Sequence, residues 1–308
     1  MNNLIAAVDT ALLLGLCFSG IAMGLVVSLR FLNYPDLTIE GSVPFGAAVS
    51  ALVLLRTGSL PLALATGFIG GGVAGLLTAC LHVFLGVGKL LSGILMISVL
   101  YSISLHVLGG SNLSLLQTSG SLARIESVDR RWSDSVGVSV DPLKIGLLLL
   151  LMGILMSLLI FFFSTKVGIA IRALGDNETL LPAFGRDPRP FKFLALALAN
   201  ALAGLAGGLV AMNQGFADVG MGQGGLVLGL AGLILGEQSI GRILGNRRLV
   251  VALVTAAVFG SVLYQAALLL SFRIGVSASD VKLLTAVLVL SAIVLARGDS
   301  VFYRGRTF

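Results

Sequence analysis

Long apolar stretches separated by shorter polar ones set the pattern of the whole chain. Most of these stretches have the length of about 20 residues that an α-helix needs to cross a bilayer. A transmembrane β-barrel would show segments of about 10 residues that alternate in polarity, whereas the apolar blocks here are continuous. The pattern predicts an all-α, polytopic transmembrane helical bundle of about eight to nine spans. The predicted spans are 4–29, 33–55, 60–85, 90–108, 142–163, 191–212, 224–235, 249–270 and 281–296.

One predicted span, 224–235, is short and rich in glycine. Irregular backbone at membrane depth is tolerated where it is enclosed by protein or lines a cavity, and glycine permits it. This segment either crosses the membrane or enters and leaves it on the same side. The bundle is therefore expected to contain broken or re-entrant glycine-rich segments.

Composition agrees with a membrane protein, since 57% of the residues are hydrophobic and only 11% are charged. Soluble domains carry about 25% charged residues. The net charge of +6 would suit nucleic-acid binding, but the chain has no basic stripe with interleaved aromatic residues, so no nucleic acid is expected as a partner.

The basic residues lie between the apolar blocks, where they act as orientation signals. If the polar stretch 164–190 is cytoplasmic, most of the 20 lysines and arginines fall on the cytoplasmic side, as the positive-inside rule requires. This orientation predicts an extracytoplasmic N-terminus, a cytoplasmic C-terminus and an extracytoplasmic loop at 109–141.

A polar segment with two prolines opens the second predicted span. A charge at the bilayer centre costs about 2.5–3.5 kcal/mol on insertion scales, unless it is paired or lines a water-filled path. Pro35 disfavours helix just before it, which suggests a broken helix. The segment either lines a solute pathway or is a cytoplasmic loop ending in a helix cap, for which Asp36 or Thr38 is suited. The candidate translocation-pathway residues here are Asn33, Asp36, Thr38, Glu40 and Ser42.

A weak internal repeat adds Asp218 to the pathway candidates. Residues 33–50 and 213–232 both place an Asp-bearing polar segment before a helix rich in small residues. Transporters are often built from repeats whose interrupted segments form the solute site. Chance similarity in a glycine-rich chain, or glycines that serve only tight helix packing, accounts for the same pattern.

A second candidate region is the stretch 168–185, GIAIRALGDNETLLPAFG. Its apolar positions form one face of a short helix or helix pair, and Asp176 or Asn177 is suited to cap a second helix that begins after Gly175. Such an amphipathic helix on the cytoplasmic side either docks into the groove of a partner or lies at the lipid interface.

No pattern for catalysis or metal binding stands out. The G-x-x-x-x-G-K-[ST] phosphate loop is absent, and the nearest string, 86–89, lacks both the spacing and the Ser/Thr. Cys17 and Cys80 both lie in apolar spans, where cysteine behaves as a small hydrophobe. The chain is expected to be no enzyme and to hold no metal or cofactor, so that any ATP is used by a partner.

Two stretches resemble the ABC-importer permeases of the branched-chain amino acid and ribose type. In GLVVSLRFLNYPDLTIEGSVPFGAA, Asp36, Leu37, Gly41 and Ser42 match the polar segment that this family places before a small-residue helix. The more specific match covers 168–208 and resembles the family's cytoplasmic coupling region. The string YSISLHVLGGSNLSLL at 101–116 is similar to the tryptophan/tyrosine-type uptake branch, although GGSNLSLL departs from its usual pattern. The residues at recurring coupling positions are Arg172, Ala173, Gly175, Asp176, Asn177, Ala183, Gly185 and Lys192.

The resemblance implies a single transmembrane permease domain, 1–308, in the bacterial inner membrane, with 164–190 as its coupling region. It further implies a homodimer of two permease copies with cytoplasmic ATPase subunits docked on them. An extracytoplasmic binding protein delivers a small amino-acid-like or aromatic solute. The alternative is a self-sufficient ion-coupled secondary transporter or channel that uses Asp36, Glu40, Asp218 or Glu237 as ion sites.

Overall fold

The computed structural model describes residues 2–115, 120–136, 141–244, 249–277, 280, 283–287 and 290–291. Helices account for most of these residues, which confirms the predicted all-α polytopic bundle. Two short strands, β1 (Asn112–Ser114) and β2 (Phe216–Asp218), form an antiparallel pair that the sequence did not predict. The helices are α1 (Asn2–Leu25), a π-helical turn (Val26–Phe31) that continues it, α2 (Ile39–Thr57), α3 (Leu60–Val83), α4 (Lys89–Leu108), α5 (Ser121–Val136), α6 (Pro142–Ser164), α7 (Lys166–Asp176), α8 (Leu180–Ala183), α9 (Arg189–Gln214), α10 (Gly225–Leu244) and α11 (Leu249–Arg273).

Seven of the described helices are long and apolar enough to cross a membrane. They correspond to the first six predicted spans and the eighth. The seventh predicted span falls in α10, a shorter apolar helix, and the ninth, 281–296, lies mostly outside the described residues.

Helix α9 forms the centre of the bundle and packs against α1, α2 and α3. Its contact with α3 is a seam of backbone on backbone, because glycines recur at every fourth position of α3 on the side that faces α9. A Cβ atom added at Gly71 would lie 2.1 Å from the Asn200 carbonyl oxygen, and one at Gly75 would lie 2.2 Å from that of Leu196. Small residues at this spacing let membrane helices approach closely.

Helix α6 lies at the edge of the bundle and exposes mainly apolar side chains, as a lipid-facing helix does. Its first turn is capped by a residue from another helix. The buried carboxylate of Asp129 in α5 accepts hydrogen bonds from the backbone N–H groups of Leu143 (2.8 Å) and Lys144 (3.3 Å). This contact satisfies donors that a helix N-terminus leaves unpaired and fixes α5 on α6.

The bundle has two distinguishable ends. The β1–β2 pair follows the C-terminal ends of α4 and α9, and this end is called the sheet end. Helices α7 and α8 lie at the opposite end, called the coupling end, where Glu178 contacts Lys89 at the start of α4. The predicted orientation makes the sheet end extracytoplasmic and the coupling end cytoplasmic.

Candidate functional site

Two non-helical segments meet at mid-depth in the bundle. Residues 32–38, called the first interrupted segment, join the π-helical turn to α2. Residues 219–224, called the second interrupted segment, join β2 to α10. Gly41, just after the first segment, lies against Ile97 in the middle of α4. A Cβ atom at Gly222, in the second segment, would lie 2.0 Å from the carbonyl oxygen of Glu40. This meeting point of the two segments is called the junction.

The second segment runs along α2 from the sheet end towards the coupling end. Strand β2 packs against α2, and Gly222 lies close to the Pro44 ring near the start of that helix. Helix α10 then continues to the coupling end, where its Glu237 pairs with Arg30. The path from β2 through α10 therefore crosses the bundle as an irregular piece followed by a helix, and does not return to the side from which it entered.

A buried polar cluster lies on the inner side of the junction. Asn200 of α9 donates from Nδ2 to Asp36 Oδ2 (2.6 Å), and its Oδ1 accepts from the Ser42 hydroxyl (2.7 Å). Asp36 Oδ1 accepts from the backbone N–H of Thr38 (2.9 Å). The Thr38 hydroxyl lies 2.8 Å from that of Thr78 on α3. The cluster therefore joins the start of α2 to both α3 and α9.

The structure brings together only part of the predicted pathway set. Asp36, Thr38 and Ser42 are buried in the cluster, and Glu40 is partly exposed at the junction. Asn33 is exposed and has a positive φ of 53°, a conformation that asparagine tolerates better than most residues. Asp218 lies at the sheet end, opposite Asn112 of β1. Its role in a pathway, like that of the others, stays a prediction.

Asp36 orders the turn that leads into α2. Its Oδ1 atom accepts from the N–H of Thr38, the residue that precedes the helix, whereas the Thr38 side chain makes no capping hydrogen bond. Its Oδ2 atom accepts from Asn200, so that the irregular segment is also tied to another helix.

Asn200 and Thr78 were not among the predicted site residues. A signal for Asn200 exists, because it is a lone amide within the apolar run FLALALANALAGLAGG of α9. Polar side chains inside a membrane helix usually face other protein groups rather than lipid.

The coupling stretch begins with α7, which is seated firmly on the bundle. Thr165 precedes the helix, and its side chain accepts from the Gly168 N–H (3.4 Å). Ile171 and Leu174 are buried in the main apolar core. Gly175 lies so close to the π-helical turn that a Cβ atom there would be 2.1 Å from the Phe31 carbonyl oxygen. Gly175 therefore does not interrupt α7 but lets it contact the segment that leads to the junction.

The second half of the coupling stretch is exposed. Arg172 and Ala173 are partly buried with Gly175, and the Arg172 Nε atom is buried without an acceptor among the described residues. Asn177 Oδ1 accepts from the Thr179 N–H (3.0 Å), which orders the turn into α8, as the sequence predicted for Asp176 or Asn177. The predicted coupling residues that are exposed are Asp176, Asn177, Ala183 and Gly185.

The mostly exposed residues 176–185 are called the coupling tip. Glu178 connects this tip to two spans. Its carboxylate pairs with Lys89 of α4 (2.5 Å) and with Lys192 of α9 (3.3 Å). The hydrogen bond from Lys89 is the main reason why the pKa of Glu178 lies below its ordinary value, and the charge of Lys192 adds to the effect. Near Lys89, the Tyr34 hydroxyl lies 2.7 Å from that of Ser92 on α4. Tyr34 belongs to the first interrupted segment, so contacts connect the coupling tip to that segment.

A bidentate ion pair joins the π-helical turn to α10 at the coupling end. Arg30, in the π-helical turn, donates from Nε to Glu237 Oε1 (2.7 Å) and from Nη2 to Oε2 (2.6 Å). Both side chains are mostly shielded from solvent. In the part of the chain that the structure describes, no group of His, Cys, Asp and Glu side chains is arranged to hold a metal ion.

A helical bundle with two interrupted helices that meet at mid-depth is the architecture of a membrane transport protein. The model of the family described as "Branched-chain amino acid transport system / permease component" matches residues 7–296. The chain therefore belongs to this family of transport permeases, which are not enzymes, and is a multi-pass protein of the inner membrane. This finding confirms the resemblance drawn from the sequence.

Two relatives illustrate the match. The "Tyrosine transport system permease protein" of Clostridioides difficile is 30% identical over 291 residues, which cover 94% of this chain and 90% of the relative. The "Probable branched-chain amino acid transport permease protein LivH" of Methanocaldococcus jannaschii is 30% identical over 206 residues, 63% of this chain and 62% of the relative. No solved structure gives a significant match.

Proposed function

We propose that this chain is the membrane-spanning subunit of an ABC importer for a small amino-acid-like solute. Two copies pair, a binding protein delivers the solute at the sheet end, and separate ATPase subunits act at the coupling end. The solute passes along a pathway that includes the junction and the segment Asp36–Ser42. The names of the relatives, which refer to tyrosine and to branched-chain amino acids, support an amino acid as cargo.

The observation that carries the proposal is the build of the coupling stretch. Its tip is exposed and available to a partner, whereas α7 is packed against the π-helical turn at Phe31. Force applied to the tip by an ATPase subunit is therefore passed to the residues that lead directly into the first interrupted segment. Helix-in-groove docking is a common way for one protein to engage another.

The test uses the purified permease reconstituted in liposomes with its ATPase and binding protein. We expect Arg172→Ala and Asp176→Ala to reduce amino-acid uptake strongly while the protein remains in the membrane and ATP is still hydrolysed. Arg273→Ala is the matched control, because Arg273 is exposed at the end of α11, opposite to the coupling end in the predicted topology, and should leave uptake unchanged.

Two results would contradict the proposal. One is normal uptake by both coupling variants. The other is uptake by the permease alone, without ATPase or ATP, when only an ion gradient is applied; that result would support the secondary-transporter alternative.

A further inference from the structure

Glu40 places a carboxylate at mid-depth in the bundle. It is the second residue of α2, and the next residue, Gly41, lies against Ile97 in the middle of α4. The Glu40 carbonyl faces Gly222, at the point where the second interrupted segment approaches α2. Glu40 thus stands where both interrupted segments meet.

Among the described residues, Glu40 differs from the other acidic residues of the spans in its lack of a partner. Asp36 accepts from Asn200, Glu237 pairs with Arg30, and Asp9 accepts from the Asp141 backbone N–H. The Glu40 side chain makes no ion pair and no hydrogen bond with any residue that the structure describes, yet it is only partly exposed. Ionisable groups within membrane spans face other protein groups or a water-filled cavity, and they commonly mark ion or substrate pathways.

The oxygen atoms around Glu40 can accept but not donate. The carboxylate is an acceptor, and Pro44, four residues further on, has no N–H to offer the Glu40 carbonyl in the usual helical bond. The Gly222 backbone packs directly on this carbonyl, since a Cβ atom there would lie 2.0 Å from the oxygen, so the carboxylate is the acceptor that a ligand can reach. A carboxylate suits a group with several N–H donors and a positive charge, and does not suit another carboxylate or a phosphate.

We propose that Glu40 binds the protonated amino group of the solute as it passes the junction. The cargo is then a molecule with a primary ammonium group, as nearly every amino acid has. This inference rests on the proposed importer function and deepens it by naming the group that is recognised and the residue that recognises it. Asp36 has no such part, because its carboxylate is buried and occupied by Asn200 and Thr38.

The experiment uses the complete importer in liposomes, with the permease, ATPase subunits and binding protein. Uptake of each of the twenty L-amino acids by the wild-type complex identifies the best transported one, which is the probe. Glu40→Gln keeps the size of the side chain and removes its charge, and Glu40→Asp keeps the charge on a shorter side chain. Glu126→Gln makes the same chemical change in α5, outside the spans, and is the matched control.

We expect Glu40→Gln to lower the uptake rate at least tenfold, with ATP hydrolysis stimulated by the loaded binding protein to within twofold of wild type. Glu40→Asp should retain more uptake than Glu40→Gln, and Glu126→Gln should match wild type. Glu40→Met, which also has similar length and no charge, gives the same test if the Gln variant assembles poorly.

Uptake by Glu40→Gln or Glu40→Met within twofold of wild type would overturn the role of Glu40 and leave the importer function intact. Equal losses in the Asp and Gln variants would also overturn it, because a charge-dependent contact predicts a difference. A wild-type complex that transports none of the amino acids would instead overturn the proposed function itself.

Discussion

The buried cluster around Asn200 gives the sharpest test of how the first interrupted segment is held. Asn200→Ala removes the amide that donates to Asp36 Oδ2 and accepts from the Ser42 hydroxyl. Both partners are almost fully buried, so they are left without a replacement from solvent. An unsatisfied buried group costs about 1–3 kcal/mol, and the two together are expected to lower the free energy of unfolding by about 2–6 kcal/mol.

The measurement is equilibrium unfolding of the purified protein in mixed micelles, followed by circular dichroism. Asn213→Ala is the matched control, because Asn213 lies on the same helix and makes no side-chain hydrogen bond with the described residues. Its effect should stay within about 0.5 kcal/mol, as for most substitutions away from such features. The combination Asp36→Asn with Asn200→Asp should recover most of the loss, since a donor and an acceptor then face each other again.

Equal stabilities for the Asn200→Ala and Asn213→Ala proteins would refute this reasoning. Failure of the exchanged pair to recover any stability would show that the arrangement of donors and acceptors is not what the cluster contributes.

Three further changes probe the coupling end and the junction. Glu178→Gln should lower the free energy of unfolding by less than about 1 kcal/mol, because the ion pairs of this half-exposed carboxylate contribute little. Since its pKa lies below the ordinary 4.5, this contribution is present above that pH and is lost as the pH falls through the lowered pKa, so wild-type and variant melting temperatures should converge in acid. Gly222→Ala should lower the free energy of unfolding by about 1–3 kcal/mol, because the added Cβ meets the Glu40 carbonyl oxygen, whereas Gly153→Ala has open space and should be neutral or stabilising in the same micelle assay. Arg30→Glu should destabilise the protein by at least about 2 kcal/mol, since it leaves Glu237 facing a like charge, and Arg30→Glu with Glu237→Arg should restore part of that loss in the same measurement.

The spans could be predicted because the bilayer fixes their length and composition, and the sequence displays both directly. The short helices and strands outside the spans could not. Helix α5 and the β1–β2 pair lie within or beside polar stretches whose order depends on contacts made elsewhere, such as that of Asp129 with the start of α6.

The candidate site was predictable only in part, for a related reason. The irregular segment around Asp36 shows itself through Pro35 and local polarity, and the capping of the turn after α7 shows itself through local residue types. The partners of Asp36 and Arg30 are 164 and 207 residues away in the chain, so only the packing of helices brings them together. The sequence shows Asn200 as a lone amide in an apolar helix, but it does not show that Asp36 is its partner.

The glycine seam between α3 and α9 has a consequence for how the protein moves. Backbone packed on backbone leaves no side chains whose rotamers could change to let one helix slide past the other, and α2 enters the same seam where Gly46 meets Gly204. These three helices are therefore expected to shift as one rigid block during a transport cycle. The displacement that opens and closes the pathway is then expected to fall to the helices outside this block.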